Sequence, residues 1–213
     1  MRNGVMFGDK HSIDDWDLLM TKKSIPDADP RLEFLSVPAG DVVYDFTEDY
    51  GRVLYNQRCL VFEFDTFQDP SEWWNLRKEI SAHINGRRLR IVLDQEPEHY
   101  FIGRCKVADF SNLTSVAMVK IEAIVDPYRY KHDETVLSLD VDGPANVVLR
   151  NEFKNVVPEI TTSAPIAMTM NGLTKQVSAG SWCFADFMLR EGHNIMTITG
   201  SAHVRIRYQE GIL

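Results

Sequence analysis

Six histidines, three cysteines and a scatter of carboxylates are the residues of this chain that could do chemistry. The histidines are His11, His83, His99, His132, His193 and His203. None stands in an H-x-H or H-x-x-x-H pair, the spacing that brings two imidazoles onto one metal. Each therefore reads as a solvated or singly hydrogen-bonded side chain. Cys59, Cys105 and Cys183 are odd in number and far apart, with no C-x-x-C pair. That spacing supports neither a disulfide framework nor a structural zinc site; the expectation is buried thiols within strands. Asp14, Asp15, Asp17, Asp45, Glu48, Asp49, Asp94, Glu96 and Glu98 supply carboxylates. A glycosidase needs only two of these set ~5–10 Å apart. Most stand in turn-like contexts, where Asp hydrogen-bonds its own backbone, and they are read as turn formers.

A serine nucleophile would sit in a G-x-S-x-G turn between strand and helix. Gly180-Ser181-Trp182 lacks the second glycine and leads into an apparent strand. No P-loop or G-x-G-x-x-G is present, and Gly51 and Gly103 are isolated. Arg87, Arg88 and Arg90 form a small basic cluster. On a strand Arg88 and Arg90 share a face, but no stacking aromatics interleave with them as in single-strand binders. They read as a solvated edge or a subunit interface. Trp182 has two readings, a stacking platform for a sugar or a core residue of its domain. No catalytic residue, metal ligand or cofactor site emerges.

With Lys and Arg at 23 against Asp and Glu at 31, the net charge is -8. That argues against broad nucleic-acid binding, which depends on neutralising phosphates. No apolar run reaches the ~20 residues that cross a bilayer. The segment MRNGVMFGDKHSIDDW has no long apolar core of a secretory signal. The expectation is a protein made and folded in the cytoplasm.

The elements that must position these residues are mostly strands. In the first half, Val5–Phe7, Arg31–Val37 and Val42–Phe46 read as strands, the last two around a Pro38-Ala39-Gly40-Asp41 turn. Arg58–Phe64 alternates, with Leu60, Phe62 and Phe64 on one face. A helix begins near Asp69 as N-cap with Pro70 next. Its stripe is Trp73, Leu76, Ile80 and Ile84, and Asn85-Gly86 stops it. Arg88–Leu93, Tyr100–Phe110 and Thr114–Val125 follow as strands, the last two joined by a short loop at Asn112 and its neighbours. Asp126-Pro127-Tyr128 closes this run, since proline cannot continue a ladder.

From Thr135 the runs shorten. Val136–Val141, Asn146–Leu149, Val156–Thr161, Ile166–Met170, Leu173–Val177, Trp182–Asp186, Asn194–Thr199 and His203–Tyr208 alternate between turns. The turns are placed at Asp142-Gly143-Pro144, Asn171-Gly172, Ala179-Gly180, Glu191-Gly192 and Gly200. Regular short strands of this kind predict a β-sandwich. The predicted boundary lies near Lys131–Glu134, giving domains 1–131 and 132–213.

The order of motifs carries a resemblance. Phe7-Gly8-Asp9-Lys10-His11-Ser12 precedes Asp14-Asp15-Trp16; Val37-Pro38-Ala39-Gly40-Asp41 leads to Tyr44-Asp45-Phe46-Thr47. Tyr55-Asn56-Gln57-Arg58 enters a strand; then come Gly86-Arg87-Arg88-Leu89-Arg90, Tyr100-Phe101-Ile102-Gly103-Arg104 and Asp126-Pro127-Tyr128. This resembles the distal tail protein of long, non-contractile-tailed bacteriophages and prophages, mainly over residues 1–130. The resemblance implies a mostly β chain: an N-terminal barrel-like belt domain with one helix, and a C-terminal galectin-like β-sandwich. It implies a hexameric ring at the distal end of the virion tail, joining the tail tube to the tail-tip hub, with receptor-binding protein as a further partner. It implies no enzymatic activity and no cofactor, and DNA passing through the lumen without specific binding. On that footing Arg88 and Arg90 are candidates for the subunit seam, and Asp126, Pro127 and Tyr128 for the domain junction. The alternative is a saccharide-binding module for host-surface recognition, with Trp182 in the C-terminal sandwich as its platform.

Overall fold

Apolar residues at period two become strand faces, and the one helical stripe becomes a helix. In the computed structural model, which describes residues 3–113 and 115–213, the chain divides into two compact units. The first ends at Arg129 and the second runs Tyr130–Leu213. The first holds β1 (Val5–Phe7), β2 (Lys10–His11), β3 (Leu19–Ser24), β4 (Phe34–Ser36), β5 (Val43–Asp45), β6 (Arg58–Thr66), α1 (Trp73–Ile84), β7 (Arg88–Leu93), β8 (Glu96–Leu113) and β9 (Val116–Val125). Then β10 (Arg129–Lys131) leads into the second unit. Thr114, where the sequence reading begins a strand, lies outside the described residues. Asn112 is not a loop residue: it pairs with Ala117, so the ladder runs nearly to the hairpin tip.

Antiparallel pairing orders the first sheet β2-β1-β7-β8-β9-β6-β3. Leu60, Phe62 and Phe64 of β6 and Ile121 and Ala123 of β9 are fully buried. They share one core with Leu76, Ile80 and Ile84 of α1. Phe7 meets Phe62 edge-on, centroids 5.6 Å apart. Each buried Leu, Ile or Phe side chain contributes about 1.5–3 kcal/mol through burial. Lys23 of β3 donates to Gln95, and Gln95 Nε2 donates to Asn3 Oδ1 at 3.0 Å, tying an edge strand back towards the β7–β8 turn. The result is a barrel-like sheet with a helix packed into its core.

The helix starts later than its sequence suggests. Its N-cap is Glu72, with no side-chain cap bond. Asp69 instead forms a turn: Oδ1 accepts from the Ser71 amide at 2.9 Å and the Ser71 hydroxyl at 2.6 Å. Asp and Ser compete for local backbone partners, and here the turn wins. The buried stripe is Trp73, Leu76, Ile80 and Ile84 as read.

The second unit holds β11 (Thr135–Asn151), β12 (Glu159–Thr162), β13 (Ile166–Met170), β14 (Leu173–Val177), β15 (Gly180–Cys183), β16 (Gly192–Tyr208) and β17 (Gly211–Ile212). Two expected turns are absent as turns. Asp142-Gly143-Pro144 and Gly200 lie inside β11 and β16, which pair without interruption from Thr135↔Tyr208 to Asn151↔Gly192. Gly143 faces Gly200 across this ladder, and their φ values are 93° and 148°. A Cβ on Gly200 would stand 2.9 Å from Ile166 Cγ2. On one side of this midpoint β16 pairs with β13, on the other with β12. Met196 and Ile198 from one half and Val204 and Ile206 from the other meet in a single core. The sandwich is thus one long ladder bent at its glycines, a strand that changes layer through a bend. Asn171-Gly172 joins β13 to β14 as read, with φ of 52° and 78°, the positive pair that a two-residue hairpin demands.

Candidate functional site

Many of the residues that could do chemistry are held in structural contacts. His11 is buried, and the Ile13 and Asp14 amides point at its Nδ1 at 3.3 and 3.4 Å. Nδ1 therefore accepts, and Nε2–H donates to Asp94 Oδ1 at 3.0 Å. Ser12 beside it is fully buried, its hydroxyl accepting from the Val5 amide at 3.0 Å. His83 donates to the Phe7 carbonyl at 2.7 Å. His203 lies 2.7 Å from Asp140, His132 3.2 Å from Asp133, and His99 3.4 Å from Glu96. Among the described residues no three His, Cys, Asp or Glu groups are placed to hold a metal ion.

Several acids are held in the same way. Asp15 accepts from the His11 amide at 2.7 Å and from Lys10 at 3.0 Å. These bonds hold its carboxyl below the ordinary carboxylate range, the amide contributing most. Asp45 is lowered likewise by the Thr47 hydroxyl and amide. Glu96 takes Arg129 with both oxygens, at 3.0 and 3.1 Å. Ser181 shares its hydroxyl with Thr161 at 2.8 Å on the face of a strand. One buried acid was not singled out in the sequence. Glu210, 5% exposed, accepts from the Glu152 amide at 3.1 Å and from the Thr135 hydroxyl, with Lys131 at 3.5 Å. It pins the end of the second unit, and nothing in Gln209-Glu210-Gly211 advertises that.

The cysteines depart from their expected burial. Cys59 and Cys183 are exposed and only Cys105 is buried. Burial pushes the Cys105 thiol up to about 11.

Arg88 and Arg90 are exposed on one face of β7. Arg88 donates to Asp126 at 2.7 Å, and Arg90 lies over the Tyr100 ring at 4.5 Å. Pro127 and Tyr128 stand between β9 and β10, with Tyr128 edge-on to Tyr55 at 6.4 Å. Trp182 is half-buried, stacked on Phe184 at 6.1 Å, with its indole N–H donating to the Ser178 carbonyl at 3.0 Å.

The feature that the chemistry-first reading missed is a surface. Strands β4 and β5 pair only with each other, in register Phe34↔Asp45 and Ser36↔Val43. Every residue of both is exposed. Phe34 and Leu35 are each 58% exposed, Val43 59% and Tyr44 52%. A two-stranded hairpin is marginal in water by itself, and a run of bare apolar side chains of this size marks a contact surface. Its root is firm. Asn56 donates to the Asp29 carbonyl at 2.9 Å, and buried Arg58 donates to the Pro26 carbonyl at 3.3 Å over the Phe101 ring. The alternation in Leu32, Phe34 and Ser36 was legible; that neither face finds a partner in the chain was not.

No helix among the described residues is long and apolar enough to cross a membrane. No protein-family model matches the chain, and no curated protein matches it. Among solved structures it is similar to the Dit protein (gp 19.1) of SPP1, described as a paradigm of hub adsorption apparatus in phages that infect Gram-positive bacteria. The TM-score is 0.74 at 13% identity, covering 100% of both chains. The mostly β fold of this chain is thus similar to that of Dit over its whole length.

Proposed function

We propose that this chain is a structural protein of a bacteriophage or prophage tail. It closes as a hexameric ring at the distal end of the tail and joins the tail tube to the tail-tip hub. The observation that carries the reading is the bare apolar hairpin on a Dit-like fold: an assembly protein needs a contact surface and no reaction centre. The placement of His11, Ser12, His83, Asp15, Asp45 and Glu210 supports a structural role, since each is held in a turn or ties one segment of the fold to another.

Within the ring, the first unit forms the belt around the lumen. Asp126, Pro127 and Tyr128 are the passage between belt and sandwich. The net charge of -8 suits a lumen that DNA crosses without sticking, because uncompensated acids repel phosphates. Gel-shift with duplex DNA at about 0.15 M salt is expected to show no retained complex. Stable retention, or a strongly basic lumen in a map of the ring, contradicts this. Anti-chain antibody on intact virions tests location, with gold expected at the tail end and nowhere along the tube.

A further inference from the structure

We infer that the buried guanidinium of Arg58 is the anchor of a binding site for a small oxyanion, which seats two of its oxygens on the Nε–H and Nη2–H edge. Arg58 is 6% exposed. It stands at the first position of β6, on the same face as Leu60, Phe62 and Phe64, and so lies at the end of the first unit's core. One of its nitrogens is used: Nη1 donates to the Pro26 carbonyl at 3.3 Å. Its Cζ lies over the Phe101 ring, 5.2 Å from the centroid. Nε and Nη2 are both closed to solvent, and no described group of the chain accepts from either.

Geometry and charge together select the ligand. Nε–H and one Nη2–H point the same way, the edge of a guanidinium that takes two oxygens of a carboxylate or phosphate side by side. The other buried side-chain atoms without a partner among the described residues are Trp16 Nε1, His99 Nδ1 and Asn151 Oδ1. Arg58 differs from these in carrying a charge at every ordinary pH. A buried cation needs a counter-charge, and neither nearby acid supplies it at this edge. Glu96 is engaged by Arg129 through both oxygens and lies 3.4 Å from His99. Asp27 is exposed and acts on Arg58 least. Burial first, and the repulsion of Arg129 second, disfavour the charge of Arg58.

A water would accept the hydrogen bonds and leave the charge unmet. An oxyanion answers both, and the enclosure favours one the size of formate or inorganic phosphate. The same guanidinium would then join the ligand, the Phe101 ring and the Pro26 carbonyl at the root of the β4–β5 hairpin. The inference does not depend on the ring reading.

The test is a thermal melt of the full chain at fixed ionic strength, with formate, inorganic phosphate or chloride as the varied anion. Formate or phosphate is expected to raise Tm along a saturating curve, by about 5–10 °C at about 100 Kd, and chloride is not. The oxyanion that saturates at the lower concentration tells carboxylate from phosphate. Arg58→Lys keeps the charge but has no fork, and the saturating rise is expected to vanish in it. Equal curves in wild type and Arg58→Lys, or a chloride curve that matches, overturn the site. So does a rise that never saturates, the behaviour of salts excluded from the protein surface. Should Arg58→Lys fail to fold, wild-type crystals decide, one set grown with formate as the only added anion and one soaked in selenate for its anomalous signal. An oxyanion on Nε and Nη2 in either set, together with the saturating melt, supports the site. Water on both nitrogens in both sets overturns it, and density without a melting shift marks an adventitious ion only and overturns it as well.

Discussion

Gly200 shows what a single residue can decide in this molecule. Its φ of 148° excludes ordinary side chains, and a Cβ there would press on Ile166. Gly200→Ala is expected to cost about 2–4 kcal/mol, combining backbone strain with overpacking. Gly192→Ala, with a φ of 91° but open space around it, should cost only about 1–2 kcal/mol. Urea unfolding of the two variants compares them, and equal losses would count against the bend. Thiol chemistry separates the cysteines. A maleimide should label Cys59 and Cys183 in the folded protein and Cys105 only after unfolding, read by peptide mass. Asp15 sets an acid limit. Its folded pKa is depressed, so its contribution is present above the ordinary carboxylate range and is lost as pH falls through the folded value. The acid limb of a Tm-against-pH curve should flatten in Asp15→Asn; an unchanged limb would show that this carboxylate is not coupled to folding.

At the scale of elements, the helix and the interior strands were legible, and the long ladder was not. Trp73, Leu76, Ile80 and Ile84 read correctly because burial on one helix face imposes its own period. Asn171-Gly172 read correctly because a two-residue hairpin leaves few alternatives. Gly143 and Gly200 misled because glycine serves turns and bends alike, and only the partner strand distinguishes them. The β4–β5 arm misled in another way: alternation marks a strand, but exposure depends on what lies opposite, and β4 and β5 pair only with each other. Two element-level outcomes follow. Ile80→Ala is expected to cost about 2–5 kcal/mol by chemical denaturation, as for other buried aliphatic truncations. Replacing the arm beyond its root with a short Gly-Ser turn should leave the Tm nearly unchanged, since its strands bury nothing, yet abolish assembly. A large Tm loss would show that the arm serves the fold instead of assembly.

On the scale of the whole molecule, two β units hold most of the imidazoles and several of the acids in structural contacts. At 13% identity the fold persists because buried period-two faces can be filled by many residues. Motif order carried the resemblance where no single motif could. The ring is the claim on which the rest depends, and negative-stain imaging of the purified 24.4 kDa chain tests it most directly. The expected class averages are six-fold rings with a central opening. A uniform field of single 24.4 kDa particles at every concentration, with and without purified tail tubes, would contradict it.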